Sequence, residues 1–495
     1  MSRIIIQNGN MCELDLPLKF AQKLYNEFAI RHPNAFYLRT RQRGMQNWDG
    51  KIHYITKTGQ FKIGLLPKVY DMCIEMGIKP KVVDMRQPLP KVSKVVTNIG
   101  KYKLRPEQEK AVKAVINNKI GNTPFHIGVL DYTVNAGKTL IMSSLYLSYK
   151  KQLKTLLITN DSDWLNQARE EFKQYLPGED ITFVQGKVLN WSNFTIGMVQ
   201  SISRNMRFYQ KELSQIDMVL IDEADQGGSK QYQNVITRLF NTRIRIGLSG
   251  TIYMSKLAKD RVKNMNLECF FGKVIAEFKL KDSIKKGYST KTVVKMVPGK
   301  PWYGNWESDC ISYKEIYDDS ITLNRYARKM AYARLRWNIN QGRYPALVVC
   351  KHIAHCENLY KFFKKKLGDA YNIAYVHVNT PSKLRQQIMK DFREGKIDIL
   401  VSTTIIARGK NFPKLRYLLN AASMDSQEKS IQFLGRLVRT DKSKKKVYLD
   451  DLHYPGPYLD RHGKHRKQYY QRQELKVILL DKLWKKHPNH SLIKS

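Results

Sequence analysis

The chain has 495 residues, too many for one ordinary hydrophobic core, so we expect several domains. Hydrophobic residues make up 42% and aromatic residues 11%, which is typical of globular proteins and excludes a mainly disordered chain. The 86 Lys and Arg residues outnumber the 43 Asp and Glu residues. The resulting net charge of +43 predicts a polyanionic partner, nucleic acid before an anionic membrane.

Residues 1–98 are predicted to form a small α+β accessory domain. The first residues turn polar too soon for the apolar core of a secretory signal, so we expect a cytoplasmic protein. The predicted elements are a strand at Arg3–Ile6, a helix through Phe20, Leu24, Phe28 and Ile30, a hairpin of 51–56 and 60–65, a helix at 69–77 and a linker at 79–93.

Residues 99–277 and 278–455 are predicted to form two similar α/β lobes, each a parallel sheet with helices on both faces. Short apolar runs alternate in both segments with stretches of helical spacing, which is typical of this architecture. The predicted strands are 125–130, 155–159, 195–199, 218–221 and 245–248 in the first lobe, and one starting near Ala346, then 374–378, 397–402, 417–421 and 446–449 in the second.

Residues 456–495 are predicted to form a basic helical C-terminal extension, with a helix over 475–484. Arg461, Lys464, Arg466, Tyr469 and Tyr470 give this segment its basic and aromatic character. Such a composition suits a nucleic-acid contact, and a solvated capping helix fits it equally well.

Six cysteines are scattered along the chain without a CxxC pair, which indicates reduced thiols. One cluster, Cys350, His352, His355 and Cys356, contains side chains that can bind zinc. The apolar run before it favours the end of a strand leading into a helix, with a zinc site as the alternative.

The segment Thr133–Thr139 has the composition and context of a phosphate-binding loop, because it follows a strand and precedes a helical pattern. The backbone of Asn135, Ala136 and Gly137 would cradle phosphates, and Lys138 would neutralise their charge. The Thr139 hydroxyl would bind Mg²⁺. Tyr132 stands where such loops usually carry their first glycine, so the motif is degenerate.

The tetrapeptide from Asp222 to Asp225 follows directly on the apolar strand 218–221. A carboxylate at the carboxyl end of a parallel strand lies where α/β sheets bind ligands. We therefore expect Asp222 to bind Mg²⁺ and Glu223 to orient and deprotonate an attacking water.

Two arginines in the second lobe, Arg436 and Arg439, lie three residues apart in a segment of helical spacing. That spacing places both on one face of a helix. Arginines of this kind stabilise charge on a phosphoryl group in transfer, although most such arginines simply cover a helix surface.

In order, these motifs resemble those of superfamily-two helicases over roughly residues 100–440. The resemblance implies two RecA-like lobes that use ATP and Mg²⁺, with Arg105 and Gln108 near the adenine. It also implies nucleotide contacts from Gly409 and Gln432 and nucleic-acid contacts from Thr403 and Thr404. Ser249-Gly250-Thr251 matches the motif that couples the ATP state to nucleic acid.

Within that superfamily the chain looks like the phage helicases that remodel branched DNA, which makes DNA the expected partner. Gln200 and Ser201 would then contact phosphates, unless they belong to an ordinary polar loop. Trp48, in Asn47–Lys51, would stack on a base or open a junction, unless it is a buried anchor. Arg408 and Asn160 depart from the family pattern. The alternatives are an RNA helicase of the DEAD-box type and a non-catalytic nucleic-acid-binding module.

Overall fold

The computed structural model describes residues 2–41, 45–149, 152–186, 188–252, 260–300, 312–407, 412–441 and 443–481. The chain divides into two compact units. The first unit comprises Met1–Tyr132 and Ala136–Phe278, and the second comprises Thr133–Asn135 and Lys279–Ser495.

The N-terminal region of the first unit is a four-stranded sheet with three helices. Its strands are β1 (Arg3–Ile6), β2 (Met11–Asp15), β3 (Ala29–Arg31), β4 (Lys51–His53), β5 (Gln60–Lys62) and β6 (Lys81–Asp84), and its helices are α1 (Leu18–Glu27), α2 (Ala35–Arg41) and α3 (Leu66–Glu75). The sheet has the order β5-β2-β1-β6, and β3 pairs separately with β4. The predicted α+β character of this region is confirmed.

The first lobe is built on an eight-stranded sheet, formed by β11 to β18, and has two separate pairs of short strands, β7 with β8 and β9 with β10. The strands of the lobe are β7 (Asn98–Ile99), β8 (Tyr102–Lys103), β9 (Lys119–Ile120), β10 (Thr123–Pro124), β11 (His126–Tyr132), β12 (Thr155–Thr159), β13 (Ile181–Gln185), β14 (Val188–Leu189), β15 (Phe194–Met198), β16 (Met218–Asp222), β17 (Ile244–Ser249) and β18 (Val274–Phe278). Its helices are α4 (Pro106–Ile116), α5 (Lys138–Ser148), α6 (Ser162–Tyr175), α7 (Val199–Arg204), α8 (Gln210–Ser214), α9 (Lys230–Ile236) and α10 (Arg261–Phe271).

The strand order in this sheet is β14-β13-β15-β12-β16-β17-β11-β18, and every pair is parallel except β13 with β14. Every residue of the central strands β12, β15, β16 and β17 is buried. Strands covered by helices on both faces are continuous apolar runs, which explains why the sequence predicted them well.

The N-terminal region and the first lobe share one hydrophobic core. A single cluster of buried side chains extends from Ile4 in β1 to Phe271 at the end of α10. Arg245, fully buried in β17, donates hydrogen bonds to the Gly9 carbonyl at 2.6 Å and to Asn10 Oδ1 at 2.8 Å. Burial lowers the pKa of Arg245 to about 9. The β1–β2 turn therefore depends on a side chain of the first lobe.

The second unit contains a seven-stranded parallel sheet with helices on both faces. Its strands are β19 (Lys291–Pro298), β20 (Ala346–Cys350), β21 (Ile373–Val376), β22 (Ile399–Thr403), β23 (Tyr417–Asn420), β24 (Lys446–His453) and β25 (Val477–Leu479). Its helices are α11 (Leu280–Lys285), α12 (Tyr313–Tyr317), α13 (Arg325–Ile339), α14 (Ile353–Leu367), α15 (Ser382–Glu394), α16 (Gln427–Leu437) and α17 (Leu459–Arg472). The strand order is β21-β22-β20-β23-β24-β19-β25.

The C-terminal helix α17 is anchored by a buried ion pair. The Arg466 guanidinium binds Asp451 of β24 through Nε at 2.9 Å and Nη2 at 2.8 Å, and both side chains are fully buried. Tyr470 donates to the same carboxylate at 2.7 Å. Arg466, Tyr469 and Tyr470 are buried, so they form neither the predicted nucleic-acid contact nor the solvated surface of a capping helix, whereas Arg461 and Lys464 stay exposed.

Four sequence predictions are wrong in detail. The segments 51–56 and 60–65 do not pair as one hairpin, because β4 pairs with β3 and β5 pairs with β2, leaving one bridge between Ile55 and Phe61. The predicted linker contains β6. The predicted helix over 475–484 is instead β25 in its described part, because Val477–Leu479 extends the sheet beside β19. Ile30 lies in β3 and not in the first helix.

The cysteine and histidine cluster in the second unit is packed as an ordinary core. Cys350 ends β20, and His355 in α14 lies 3.3 Å from the hydroxyl of Tyr317. Within the described ranges, no group of three or more His, Cys, Asp or Glu side chains is arranged to hold a metal. Among those same residues, no helix is both long and apolar enough to cross a membrane.

Replacing the buried acid of the α17 anchor tests its contribution to stability. Asp451→Asn leaves the Arg466 charge buried without its partner, so we expect the free energy of unfolding of the second unit to fall by about 3–5 kcal/mol. Denaturant unfolding measures this change. Asp460→Asn removes the charge of a partly exposed carboxylate that pairs with Lys464 and His453, and as the matched control it should change it little. Equal effects of the two substitutions would contradict the anchor.

Candidate nucleotide and nucleic-acid site

The predicted phosphate-binding loop lies between a fully buried strand, β11, and the first residue of α5. Asn135 and Gly137 both have left-handed backbone conformations, with φ of 64° and 71°. Left-handed residues in a loop that enters a helix turn successive backbone N–H groups into a concave site for anions. The loop thus has the backbone form that phosphates require, although Tyr132 stands where the first glycine is usual.

Gly137 is held against two side chains from the start of α4. A Cβ atom at this position would collide with Nε2 of Gln108 and would lie 3.2 Å from Nη2 of Arg105. Gln108 Nε2 donates to the Ala136 carbonyl at 2.8 Å, and its Oε1 accepts from the Arg105 backbone N–H at 2.8 Å. The structure therefore brings together four residues predicted to bind nucleotide. In this conformation Nε2 of Gln108 holds the loop, and its Oε1 caps the start of α4.

Lys138 faces the carboxylates at the end of β16. Its Nζ lies 3.5 Å from Oδ1 of Asp222. Burial disfavours the charged ammonium, but Asp222, Glu223 and Asp225 outweigh that effect and hold the pKa of Lys138 above its ordinary value. Lys138 is therefore a permanent cation at neutral pH.

Asp222 is the last residue of β16 and is only 5% exposed. Its Oδ1 lies 3.5 Å from Lys138 Nζ and makes no shorter hydrogen bond to a described residue. A buried carboxylate oxygen with only this long contact to a cation can also bind a hard divalent cation, which prefers oxygen ligands. Asp222 and the hydroxyl of Thr139, the second residue of α5, are the side chains that would hold Mg²⁺.

Glu223 follows directly in a left-handed conformation, with φ of 53°. Its Oε2 accepts a hydrogen bond from Nε2 of Gln226 at 3.2 Å, and Gln226 Oε1 accepts from Nδ2 of Asn160. The Asn160 carbonyl accepts from Nε2 of Gln200 at 3.4 Å. We call this series of four residues the Gln200–Glu223 relay.

The relay joins a predicted nucleic-acid contact to the predicted catalytic base. Asn160 lies where the family usually has a proline-containing motif, and a proline has neither the amide side chain nor the N–H to take part. The departure from the family pattern thus contributes a hydrogen-bond donor. Gln226 and Asn160 were not among the predicted site residues.

Asp225 makes a second link, to the end of β17. Ser249 donates to Oδ1 of Asp225 at 2.8 Å and lies 3.0 Å from the hydroxyl of Thr251. The carboxylates that follow β16 are thus held from two sides, by the Gln200–Glu223 relay and by Ser249.

The other predicted nucleic-acid contacts in the first unit make bonds within the protein. Ser201 is 9% exposed, and its Oγ accepts from the Gly186 N–H at 2.9 Å. Trp48 is half-buried, and its indole donates to the Lys51 carbonyl at 2.8 Å while the ring meets the edge of His32. The anchoring alternative therefore describes Trp48 better than a free stacking surface does.

The N-terminal region exposes two aromatic rings that sequence reasoning missed. Phe36 is 80% exposed and Tyr37 is 54% exposed, both on α2. Arg41 lies 4.9 Å from the centre of the Tyr37 ring, and Arg39 is exposed on the same short helix. The two aromatic residues followed by two arginines in 36–41 were a signal that could have identified this surface.

The second unit carries the remaining predicted residues. Gln432 and Arg436 lie in α16, and Arg436 is 8% exposed. The helix ends at Leu437, so the prediction that Arg439 shares a helical face with Arg436 is wrong. The Arg439 carbonyl accepts from Thr290 at 3.1 Å, which fixes the chain there.

Thr403 and Thr404 stand at the carboxyl end of β22. Thr403 is its last residue, and Thr404 begins a short 3-10 helix that runs to Ala407. Lys429 Nζ lies 3.4 Å from the Thr404 hydroxyl. Arg408 and Gly409 lie outside the described residues.

Two family models match the chain. Residues 101–254 match the res subunit of type III restriction enzymes, and residues 330–441 match the helicase conserved C-terminal domain. The two matched segments contain the phosphate-binding loop, the carboxylates at the end of β16, and Arg436 and Arg439.

Among known proteins, the chain is 21% identical to the ATP-dependent DNA helicase UvsW of Enterobacteria phage T4 over 431 residues, 82% of each chain. It is 24% identical over 376 residues to IRC3 of Saccharomyces cerevisiae, named as an ATP-dependent helicase. That match covers 70% of this chain but about half, 51%, of the yeast protein.

Among solved structures, the type ISP restriction-modification enzyme LlaBIII bound to DNA is similar, with a TM-score of 0.57 at 14% identity. The match covers 81% of this chain and 33% of that chain. This likeness concerns the fold, and it confirms the two RecA-like lobes.

Substitution of Gly137 tests the loop geometry. Gly137→Ala forces a Cβ into the Gln108 amide and strains a left-handed residue, so we expect ATP to bind at least about tenfold more weakly. The shift in melting temperature with added ATP measures this affinity. Gly178→Ala has the same left-handed strain with nothing within 4 Å, and it should bind ATP as the wild type does. Equal ATP binding by both variants would contradict the steric argument.

Proposed function

Because the chain belongs to superfamily two of the helicases, we propose that it is a DNA-dependent ATPase that unwinds or remodels branched or forked DNA. The observation that carries the proposal is the Gln200–Glu223 relay. It gives nucleic acid in the first lobe a direct hydrogen-bonded route to the residue that acts on water.

The proposed chemistry assigns one task to each group around the phosphate-binding loop. Backbone N–H groups of 135–137 receive the phosphates, and Lys138 neutralises their charge. Thr139 and Asp222 would hold Mg²⁺, which would supply Lewis-acid stabilisation of the phosphate oxygens. Glu223 orients the attacking water and takes its proton.

Arg436 and Arg439 are proposed to stabilise the charge of the phosphoryl group in transfer, and Gln432 and Gly409 to contact the nucleotide. Alternation of strand contacts with the ATP state would then move the protein along DNA. Thr403 and Thr404 in the second lobe, and Gln200 in the first, are the proposed contacts with the strand. The chain spans only about half the length of the yeast relative, so the DNA substrate is proposed for this chain and is not taken over from that protein.

DNA is favoured over RNA by the motif after β17. DEAD-box RNA helicases carry Ser-Ala-Thr at that point, whereas this chain has Ser249-Gly250-Thr251. The large positive charge fits either polymer. Stimulation of ATP turnover by forked DNA, linear duplex DNA and structured RNA discriminates between them, and greater stimulation by RNA would overturn the choice of DNA.

Loss of the lysine or the base should abolish nucleic-acid-stimulated ATP turnover while DNA binding persists. For Lys138→Ala and Glu223→Gln we expect a fall of at least about a hundredfold, since the first removes the charge that neutralises the phosphates and the second removes the base that acts on the attacking water. Steady-state phosphate release measures the rate. Lys173→Ala and Glu170→Gln, from an exposed pair in α6, are the controls. Retained turnover in either active-site variant would refute the assigned chemistry.

A break in the relay should uncouple DNA binding from hydrolysis. Asn160→Ala removes the side-chain amide that donates to Gln226 and keeps the backbone carbonyl that accepts from Gln200, so the relay is broken at Gln226. We therefore expect the stimulation of turnover by DNA to fall about tenfold with DNA-free turnover nearly unchanged. The ratio of the two rates is the measurement.

The matched control for this test is Asn241→Ala, which removes an exposed amide that donates to Ser214 at 2.6 Å in the same unit. It should keep the full stimulation. A parallel fall of both rates in Asn160→Ala would show a structural role only, and an unchanged ratio would exclude the relay from coupling.

A further inference from the structure

A group of cations surrounds an exposed tryptophan in the second unit. Trp337, near the end of α13, is 42% exposed. Three cations lie near its ring: Arg343 Cζ at 4.7 Å, Lys295 Nζ at 4.9 Å and Arg334 Cζ at 5.1 Å from the centroid. Cation–π contacts of this kind hold positive charge at a partly solvated surface.

The strand register extends the group along the sheet. In the parallel pair of β19 and β24, Lys291 lies opposite Lys446, and Lys295 lies opposite Asp450. Alternate residues of a strand share a face, so Lys291 and Lys295 lie on the same face as Lys446 and Tyr448. Arg343 Cζ lies 3.6 Å from the Tyr448 ring centroid, and Lys446 Nζ lies 5.7 Å from it. We call Trp337, Tyr448, Lys291, Lys295, Arg343 and Lys446 the α13 basic patch.

Asp450, the carboxylate beside the patch, already has hydrogen-bond and ion-pair partners within the protein. Asp450 is 1% exposed and accepts from Arg334 at 2.8 Å, from Asn338 at 3.1 Å and from Tyr417 at 3.0 Å. Among the described residues, Lys291, Lys295, Arg343 and Lys446 make no ion pair with a carboxylate. The patch therefore carries an excess of four positive charges.

The electrostatic environment of Lys295 reflects this excess. Burial lowers the pKa of Lys295, Asp450 opposes that shift, and the neighbouring cations Arg334, Arg343 and Lys446 add to it. Like charges gathered without counter-ions lower stability unless a partner of opposite charge binds them. Binding of an anionic partner is therefore expected to stabilise the patch.

The patch lies away from the predicted strand contacts of the second lobe. Lys291 and Lys446 are the first residues of their strands, whereas Thr403 is the last residue of β22. All strands of this sheet run parallel, so the two groups lie at opposite ends of the strands, the patch at the amino ends and Thr403 at the carboxyl ends. Nucleic acid bound along the carboxyl edge would leave the patch free.

We propose that the α13 basic patch is a second nucleic-acid site, which binds the phosphate backbone of a DNA segment outside the motor track. The inference rests on the proposed function, because a branched substrate supplies such a segment. The Arg343 guanidinium stacks on the Tyr448 ring with one face, so the N–H donors at its edge remain available to phosphate oxygens. Lysines at the strand starts add backbone charge contacts that are independent of sequence.

The test uses the full chain with Lys291→Gln and Lys446→Gln combined. Both residues are exposed at strand starts, so the fold is expected to persist. Each lost phosphate contact lowers the slope of log affinity against log salt by about 0.9 for duplex DNA, so we expect the slope for forked DNA to fall by about 1.8. Affinity for a short single strand, which fills only the motor track, should stay at the wild-type value.

The control removes two charges elsewhere on the same unit. Lys361→Gln combined with Lys365→Gln, both exposed on α14, should keep the wild-type slope. Arg343→Gln is the second variant, and it should lower the slope by about 0.9 with unchanged DNA-free ATP turnover. A wild-type slope in both patch variants would overturn the second site, as would an equal loss for the short single strand. Failure of the proposed function would appear differently, as wild-type turnover that forked DNA does not stimulate.

Discussion

The active centre of the first lobe depends on the charge balance between Lys138 and the carboxylates that follow β16. A buried ammonium or a buried carboxylate would each be costly alone, and together they stabilise each other across 3.5 Å. The 3.5 Å contact is long for a hydrogen bond, so Oδ1 of Asp222 can still bind a divalent cation. The candidate phosphate site is thus charged and preorganised before nucleotide binds. A divalent cation that arrives with the nucleotide would complete it.

The same lobe surrounds this centre with bonds that come from distant parts of the chain. Gln108 holds the phosphate loop from α4, Ser249 holds Asp225 from β17, and Asn160 reaches Gln226 from the end of β12. In a parallel sheet the carboxyl ends of all strands meet at one edge, so loops far apart in sequence become neighbours there. Coupling between nucleotide and nucleic acid therefore needs only short side-chain contacts along that edge.

The sequence predicted the central strands and the carriers of the chemistry, because fully buried strands are continuous apolar runs and their polar ends stand out. It missed β13 and β19 and the edge strands β18 and β25, whose partly exposed residues dilute the apolar pattern. The Gln200–Glu223 relay was also invisible, since Asn160 and Gln226 are 66 residues apart and only the sheet brings them together. The prediction for Arg439 failed because a helical spacing does not show where a helix ends, and Gly409 lies outside the described residues.

The shared core of the N-terminal region and the first lobe has a mechanical consequence. A region joined by a flexible tether would absorb the displacement produced in each hydrolysis cycle. Here Arg245 donates a hydrogen bond to the Gly9 carbonyl, and apolar side chains from Ile4 to Phe271 form one packed core. Protein interiors have low compressibility, so the region is expected to move with its lobe as one body. In the proposed motor cycle, Phe36 and Tyr37 at its surface would therefore move as far as the lobe does.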